Sequence, residues 1–385
     1  MDKERGGSMG TMNIVQEILQ KTDEEVKRMP PVNILLVGKT GVGKSTLINE
    51  IFREHLAKTG VGKPVTMHLE RIRKEGVPLV LFDTKGFELQ EDVQRKVRKE
   101  VLDEVKRRNT LGEEREKIHV AWYCINASSH RLEPFEEAFI RELSEKMPVI
   151  LVLTQSIQEE EVHGFMNYIG SLNLPIRNLR PVIAKPFKIG GFTLPAMGLK
   201  SLVDDTLQYL PTEVEASFIN AQKVDVQKKA EQARKWAKGF ITETFMVGFT
   251  PIPFADAPIL ASSQVAMIAK ITSIFGVSMN RALVTSVVSS VTGVSGAVYT
   301  GRAVVSNLLK LIPGAGTIVG GLISGSTAAL ITTALAYAYI NLMVQVATSE
   351  YQQESLDQNE VLNFMRDELK KQMKVLKKEP WQKKE

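Results

Sequence analysis

A chain of 385 residues, 43% of them hydrophobic and 24% charged, is too long for one ordinary core and predicts two folded domains rather than a disordered polymer. The single cysteine, Cys124, excludes an internal disulfide framework, and with no secretory leader read at the N-terminus a reducing, cytosolic setting is expected. The net charge of +5 is modest but unevenly spread: between Gly239 and Ser349 only Glu243, Asp256, Lys270, Arg281, Arg302 and Lys310 carry formal charge.

Met1 to Gly10 is Gly-rich and polar and predicts no structure, whereas Ile14, Val15, Ile18, Leu19 and Val26 recur at helical spacing before the Pro30-Pro31 break. Residues 1–31 therefore read as a tail and one short amphipathic helix. Apolar runs rich in Val, Ile and Leu then alternate with charged helical stretches, the pattern of a buried, mostly parallel sheet with crossover helices. Strands are predicted at Asn33 to Val37, Met67 to Arg73, Pro78 to Phe82, Ile118 to Ile125, Val149 to Leu153 and Pro181 to Ala184. Helices are predicted to begin at Lys44, near Glu91, at Leu132 and near Glu159, with a last one from Leu199 to Leu210. Together they make a doubly wound α/β domain over residues 32–211.

Directly after the first strand stands Gly38-Lys39-Thr40-Gly41-Val42-Gly43-Lys44-Ser45, a match to G-x-x-x-x-G-K-S between a strand and a helix. The glycines let backbone N–H groups curl around a β-phosphate, and the helix N-terminus adds partial positive charge. Lys44 is then placed to bridge β- and γ-phosphates and the Ser45 hydroxyl to ligate Mg²⁺, with Thr46 the last residue of the nucleotide-binding stretch. Thirty-nine residues after Lys44, the run Leu79 to Phe82 ends in Asp83-Thr84-Lys85-Gly86, a D-x-x-G motif at a strand end. Asp83 is expected to hold Mg²⁺ through water and the Gly86 N–H to sense the γ-phosphate, which makes the following loop a nucleotide-dependent switch. In the intervening loop Lys58 to Thr66, Thr66 is the choice for a threonine that closes over Mg²⁺ and γ-phosphate, with Thr59 as the alternative and a strand-opening role as the bland reading.

These residues resemble the Era-like branch of small GTPases, and within it bacterial proteins that join such a domain to a C-terminal hydrophobic helical domain of unknown function. The loop Gly38 to Ser45 followed by Thr46-Leu47-Ile48-Asn49, with Pro64-Val65-Thr66, is also similar to immunity-related GTPases. The nucleotide-motif resemblance covers about Val32 to Pro211, and the two-part resemblance extends to about Val346. It implies GTP and GDP as ligands with Mg²⁺, and an enzyme that hydrolyses nucleoside triphosphate.

Two departures from that pattern stand out. The fourth motif, N/T-K-x-D in the family, here reads Thr154-Gln155-Ser156-Ile157, so the carboxylate that pairs with guanine is missing and Gln155 replaces the lysine that stacks on the base. Glu159 to Glu161 lie near enough in sequence to substitute, although a solvated helix start explains them equally. Ile183-Ala184-Lys185 occupies the place of the fifth motif, where the Ala184 N–H would meet the base oxygen. After Gly86 comes Phe87, where many GTPases carry a glutamine that orients the attacking water. Slow intrinsic turnover is therefore expected, raised by self-association or a partner, with Lys39 as an aid.

Thr212 to Lys238 reads as a polar helical connector, and residues 239–349 as a hydrophobic helical domain. Leu311 to Ser349 is uncharged, long enough for two tightly joined membrane spans at about 20 residues each. The spacings Gly316 to Gly320 and Gly321 to Gly325 suit close helix packing in lipid. In the tail, 350–385, Val361, Leu362, Met365, Leu369, Met373 and Leu376 share a face opposite Arg366, Lys370, Lys371 and Lys374, a basic amphipathic pattern suited to anionic lipid. A soluble all-helical core would show the same uncharged lengths. Pro251 to Asp256 reads as a turn between helices, with Asp256 as a cap.

His55, His68, His119, His130 and His163 have no metal-ligand spacing, and Glu100, Asp103 and Glu104 interrupt the basic stretch Arg95 to Arg108, so no nucleic-acid partner is expected. The sequence thus predicts a GTP-binding protein on the cytoplasmic side of a membrane, with guanine nucleotide, membrane lipid and a homo-oligomer as partners. Two alternatives remain: a nucleotide-stabilised scaffold with negligible hydrolysis, and a base-indifferent or ATP-binding protein.

Overall fold

The computed structural model describes residues 2–53, 56, 61–85, 91–243, 252–253, 257–277, 281–292, 322–323 and 325–378. It resolves into two compact units, one of residues 29–225 and one of residues 1–28 with 226–385.

The first unit is built on β1 (Val32–Val37), α2 (Lys44–Ile51), β2 (Val61–Pro64), β3 (Leu69–Arg73), β4 (Leu79–Thr84), α3 (Glu91–Thr110), β5 (Val120–Asn126), α4 (Pro134–Ser144), β6 (Val149–Thr154), α5 (Glu159–Ser171), β7 (Asn178–Val182), β8 (Phe187–Ile189), β9 (Phe192–Leu194), α6 (Leu199–Tyr209) and α7 (Thr212–Ala221). Seven strands form one sheet in the order β2-β3-β4-β1-β5-β6-β7. β1 runs parallel to β4 and β5, and β6 parallel to β5 and β7, while β3 is antiparallel to β2 and β4.

Alternation along β1 sends Ile34 and Leu36 to one face and Leu35 and Val37 to the other, and every residue of the strand is buried. A strand apolar on both sides needs helices on both faces of its sheet. One core gathers α2, α6 and α7, where Phe52 stacks on Trp122 at 5.7 Å and meets Phe218 edge-on at 5.9 Å. The other gathers α3, α4 and α5 around Phe82, Tyr123, Phe139 and Phe165. The doubly wound α/β architecture expected from the sequence is the one observed.

Several elements differ from expectation. β2 lies in a stretch read as loop, because Gly62, Lys63 and Pro64 disfavour strands except at an edge, which is where β2 sits. β7 starts at Asn178 and ends at Val182, and Ile183 instead bridges Met197. Between them Phe187 to Leu194 folds as a hairpin, with Gly190 and Gly191 at φ 50° and 92° in the turn. The Gly-Gly pair between alternating apolar residues was the sequence signal for it. The stretch Thr212 to Lys238 is no single connector: α7 buries Val214 and Phe218 in the first unit, and the chain breaks at Gln222 to Asp225.

The second unit contains α1 (Asp2–Arg28), α8 (Val226–Ile241), α9 (Ala257–Phe275), α10 (Arg281–Thr292), α11 (Gly325–Gln352) and α12 (Gln358–Lys378). Helix α1 begins at Asp2, so Met1 to Gly10 is helical from its second residue rather than structureless; elongating a formed helix costs little per residue. It packs on α9 and α10, where Lys270 pairs with Glu25 at 2.6 Å. Helix α11 packs on α8, α9 and α12.

The helical unit differs from its reading in one physical respect. Val361, Met365, Leu369 and Met373, the apolar face of the basic tail, are buried against α10 and α11 rather than left for lipid. One helix among the described residues, Ala329–Gln352, is long and apolar enough to cross a membrane, and 72% of its most apolar window is buried inside the protein. Ile252–Pro253 forms a two-residue ladder with Leu322–Ile323, while Pro251 and Phe254 to Asp256 lie outside the described residues. So do Gly316, Gly320 and Gly321 of the close-packing pairs.

Candidate functional site

The phosphate loop starts where β1 ends. Gly38 has φ 146°, and a Cβ there would come within 2.4 Å of the Cys124 carbonyl oxygen on β5, so no other residue fits without moving the sheet. Gly43 precedes α2 with φ 103°, turning the chain into the helix whose first residues are Lys44, Ser45 and Thr46. Ser45 and Thr46 are exposed, as are Thr40 and Gly41, while Val42 and Lys44 are buried.

The Lys44 ammonium donates to the carbonyls of Gly38 at 2.6 Å and Lys39 at 3.3 Å. It stands 3.8 Å from Asp83 Oδ1, at the end of β4, the strand paired with β1. That carboxylate oxygen is buried and makes no hydrogen bond among the described residues, as does the neighbouring Thr84 hydroxyl. Burial raises the Asp83 carboxyl above its ordinary pKa, and the positive charges of Lys44 and Lys85 oppose the shift. An orphaned buried carboxylate oxygen, with the exposed Ser45 hydroxyl following Lys44 in the chain, matches the oxygen donors that Mg²⁺ takes together with substrate phosphates. Among the described residues no group of His, Cys, Asp and Glu is arranged to hold a metal by itself.

Thr154 and Gln155 end β6 beside the loop: a Cβ on Gly43 would lie 3.7 Å from Thr154 Cβ and 3.9 Å from Gln155 Nε2. The Thr154 hydroxyl is buried and bonded to the Val42 carbonyl, so this residue shapes the loop and is closed to solvent. Gln155 is exposed at φ 54° on the rim of a cavity of about 570 Å³, whose lining includes His130, Ile157, Gln158, Glu161 and Phe187. Glu161 faces His130 at 3.1 Å, both half exposed. Ala184 packs against the core beneath α6, and Lys185 pairs with Glu50 near the end of α2 at 3.2 Å; neither lines that cavity.

Thr66 sits in the turn between β2 and β3, which Val65 and Thr66 close by donating to the Leu69 carbonyl at 2.8 and 3.2 Å. Its hydroxyl accepts the His68 N–H at 3.4 Å and is hydrogen-bonded to Glu100 of α3. Glu100 also accepts from the His68 backbone at 3.2 Å and contacts its Nδ1 at 3.2 Å. Burial would raise the Glu100 carboxyl, but the hydrogen bonds from Thr66 and His68 outweigh it and leave its pKa below the ordinary value. Among the described residues no hydrogen bond joins Thr66 to Lys44, Ser45 or Asp83. Gly86, Phe87 and Thr59 lie outside the described residues.

Two residues that sequence reasoning passed over bear on the loop. Glu133 and Glu136, at the start of α4, hold the Lys39 ammonium at 3.0 and 3.7 Å. The pattern Glu133-Pro134-Phe135-Glu136 is a helix-start signature and could have been read as one. Cys124 is buried, and burial pushes its thiol to about 12, which removes it from nucleophilic or redox chemistry.

Comparison with known proteins agrees with this geometry. Residues 33–155 match the family described as "50S ribosome-binding GTPase", and residues 217–371 match the family described as "Domain of unknown function (DUF697)". Human Septin-9 is 26% identical over 185 residues, covering 41% of this chain and 31% of that protein. Protein peanut of Drosophila melanogaster is 29% identical over 192 residues, covering 43% of this chain and 35% of that protein. Rat neuronal-specific septin-3 is 25% identical over 173 residues, 39% of this chain and 48% of its own. The chain thus spans between about a third and a half of the length of these relatives. Among solved structures, a probable GTP-binding protein engB aligns with a TM-score of 0.32 at 17% identity, covering 46% of this chain and 98% of its own. Loop, strand-end aspartate and family match converge on one statement: the chain joins an α/β domain that matches the P-loop GTPase family to a C-terminal helical region that matches the DUF697 family.

Proposed function

We propose that the protein is a guanine-nucleotide switch that hydrolyses GTP slowly and conveys nucleotide state to its helical C-terminal unit. The carrying observation is the approach of Lys44 to the unsatisfied Asp83 Oδ1 at 3.8 Å, beside a loop whose first position, Gly38, has no room for a Cβ. In this reading the backbone N–H groups of Gly38, Lys39, Thr40, Gly41, Val42 and Gly43 receive the phosphates, and Lys44 turns from its own loop carbonyls to the β- and γ-phosphate oxygens. Ser45 and Asp83 hold Mg²⁺, which when bound neutralises charge developing on the terminal phosphate. Thr66 and Gly86 answer to the γ-phosphate, and Thr66 must leave Glu100 to do so.

A route to the helical unit is built into α2. Lys44 and Ser45 begin this helix, and its far end is tied to the segment from which the chain enters α8. Arg53 N–H donates to the Ala221 carbonyl at 3.1 Å, Lys223 N–H to Ile51 at 2.8 Å, and the Lys223 ammonium to Asn49 at 2.7 Å. A shift of α2 on phosphate binding therefore pulls directly on residues 221–223.

The proposal places the protein at the cytoplasmic side of a membrane and in a homo-oligomer. The uncharged run Leu311 to Ser349 supports the first, and the phenylalanine after Gly86, which cannot orient water, supports assistance from a second copy. Carbonate washing of membranes tests the former, and the dependence of turnover on protein concentration tests the latter.

A second reading, base-indifferent triphosphate binding, is favoured by Ile157, which carries no carboxylate where the guanine-pairing one is expected. Calorimetric competition of GTP, ATP and XTP with Mg²⁺, with Lys44→Ala as control, decides between them. GTP preference lost in Lys44→Ala supports the first reading, equal affinities support the second, and no binding of any nucleotide sinks both.

A further inference from the structure

Lys39, the second residue of the phosphate loop, does not face solvent freely. Its ammonium lies 3.0 Å from Glu133 Oε1 and 3.7 Å from Glu136 Oε1, and 5.6 Å from the centre of the Phe135 ring. All three partners stand in the first turn of α4 or just before it, where the same carboxylates also close the helix end: Glu136 Oε2 accepts the Glu133 N–H at 3.0 Å. Glu136 is buried, and burial lifts its carboxyl above the ordinary range against the pull of Lys39. The Lys39 carbonyl accepts from the Lys44 ammonium at 3.3 Å, so the root of the Lys39 side chain lies beside the ammonium that the proposed function directs to the β- and γ-phosphates.

We infer that Lys39 is a second phosphate-directed ammonium, parked by Glu133 and Glu136, and that its transfer from this acidic clamp to the terminal phosphate lets the loop distinguish triphosphate from diphosphate. The inference rests on the proposed nucleotide-binding function. Its physical basis is a competition. Lys39 and Glu133 are each about a third exposed, 31% and 33%, so their attraction is screened and weak. A terminal phosphate carries more negative charge than one carboxylate and sits where backbone N–H groups exclude water, which makes it the stronger acceptor. The clamp therefore holds Lys39 in the absence of a γ-phosphate and yields to its presence. A diphosphate, lacking that group, leaves Lys39 where it is. Glu133 and Glu136 act through Lys39 and are positioning residues. Release of Lys39 from them adds positive charge at the terminal phosphate only when that group is there.

The test measures dissociation constants of the full-length chain for GDP and for a non-hydrolysable GTP analogue, each with Mg²⁺, and takes their ratio. Lys39→Ala keeps the backbone N–H and removes the ammonium, and is expected to lower the preference for the triphosphate about tenfold, the effect of one charge-assisted contact. Glu133→Gln with Glu136→Gln keeps the acceptor oxygens that close α4 and removes the negative charge. It is expected to raise the preference about threefold, and to have no effect on it in the Lys39→Ala background. An unchanged ratio in Lys39→Ala with normal GDP binding overturns this inference alone. So does a clamp effect that persists without Lys39, since it would then be a purely structural consequence of altering α4. Failure of the unaltered chain to bind either nucleotide overturns the nucleotide-switch reading and this inference with it.

Discussion

The Thr154 hydroxyl donates to the carbonyl of Val42 at 2.5 Å, tying the end of β6 to the phosphate loop 112 residues earlier in the chain. The same oxygen lies 3.1 Å from the Ile125 carbonyl at the end of β5, so one buried hydroxyl registers two strand ends and the phosphate loop against each other. Thr154→Val keeps the shape and removes the one O–H donor that the Val42 carbonyl receives. We expect a loss of about 1–3 kcal/mol in stability by denaturant titration, because a buried acceptor without its donor retains its desolvation cost. Triphosphate affinity should fall as well, and more than in Gln155→Ala, whose side chain is exposed. Equal affinities in the two variants would mean that the loop does not depend on this tie.

The glycines of the loop separate by what surrounds them. Gly38→Ala puts a methyl 2.4 Å from a backbone oxygen that cannot move without distorting β5, so nucleotide binding should be abolished and the fold weakened. Gly41→Ala meets nothing within 4 Å, and its only penalty is the φ of 80°, on the order of 1–2 kcal/mol. A melting series should therefore find Gly38→Ala well below Gly41→Ala. The reverse order would contradict the described loop.

His119 sets a pH dependence away from the phosphate loop. It is buried, accepts the Asn33 N–H at 2.9 Å through Nδ1, and contacts the Glu114 carbonyl at 3.0 Å through Nε2, an arrangement that needs the neutral ring. Burial lowers its pKa, with the Glu114 contact opposing. A depressed folded pKa means the unfolded chain binds the proton more readily. The stabilisation is thus fully present above the unfolded value of about 6.5 and is lost as pH falls through the lower folded value. Denaturation midpoints should drop on acidification below about pH 6.5, and less steeply in His119→Gln. Parallel pH profiles for the two proteins would assign the acid sensitivity elsewhere.

The amphipathic helix α12 offers a test of where its apolar face goes. Leu369 and Met365 are 2% and 0% exposed in the helical unit, whereas Lys370 and Lys371 on the opposite face are exposed. Leu369→Ala should cost about 2–5 kcal/mol as a core truncation. Charge reversal at Lys370, whose partner Asp367 is itself exposed, should alter stability by less than about 0.5 kcal/mol, as surface changes do. Should Leu369→Ala be silent in solution and weaken only vesicle binding, the apolar face belongs to lipid instead.

How much of this was legible in the sequence follows from the range of each interaction. Gly38 to Ser45 and Asp83 to Gly86 are short motifs placed by the strands before them, and those strands announce themselves as apolar runs buried on both faces. The hairpin of β8 and β9 has only the Gly190-Gly191 pair to mark it, and β2 is masked by residues that only an edge tolerates. The break between α7 and α8 had no local punctuation beyond Gln222 to Asp225, where the Gln222 side chain bonds to the Asp225 backbone in both directions at 2.8 and 2.9 Å.

The amino-acid order by itself determined the strand and helix periods, the glycine loop, and the aspartate that follows it on a neighbouring strand, because each depends on residues a few positions apart. Only the tertiary structure decided that Lys39 is held by Glu133 and Glu136, that Thr66 is bonded to Glu100 and that the apolar side of α12 is covered by α10 and α11. Those outcomes arise from residues that adjacency in the chain does not pair. Closing such contacts means settling which surfaces meet, and periodicity states how apolar a face is without stating what will cover it.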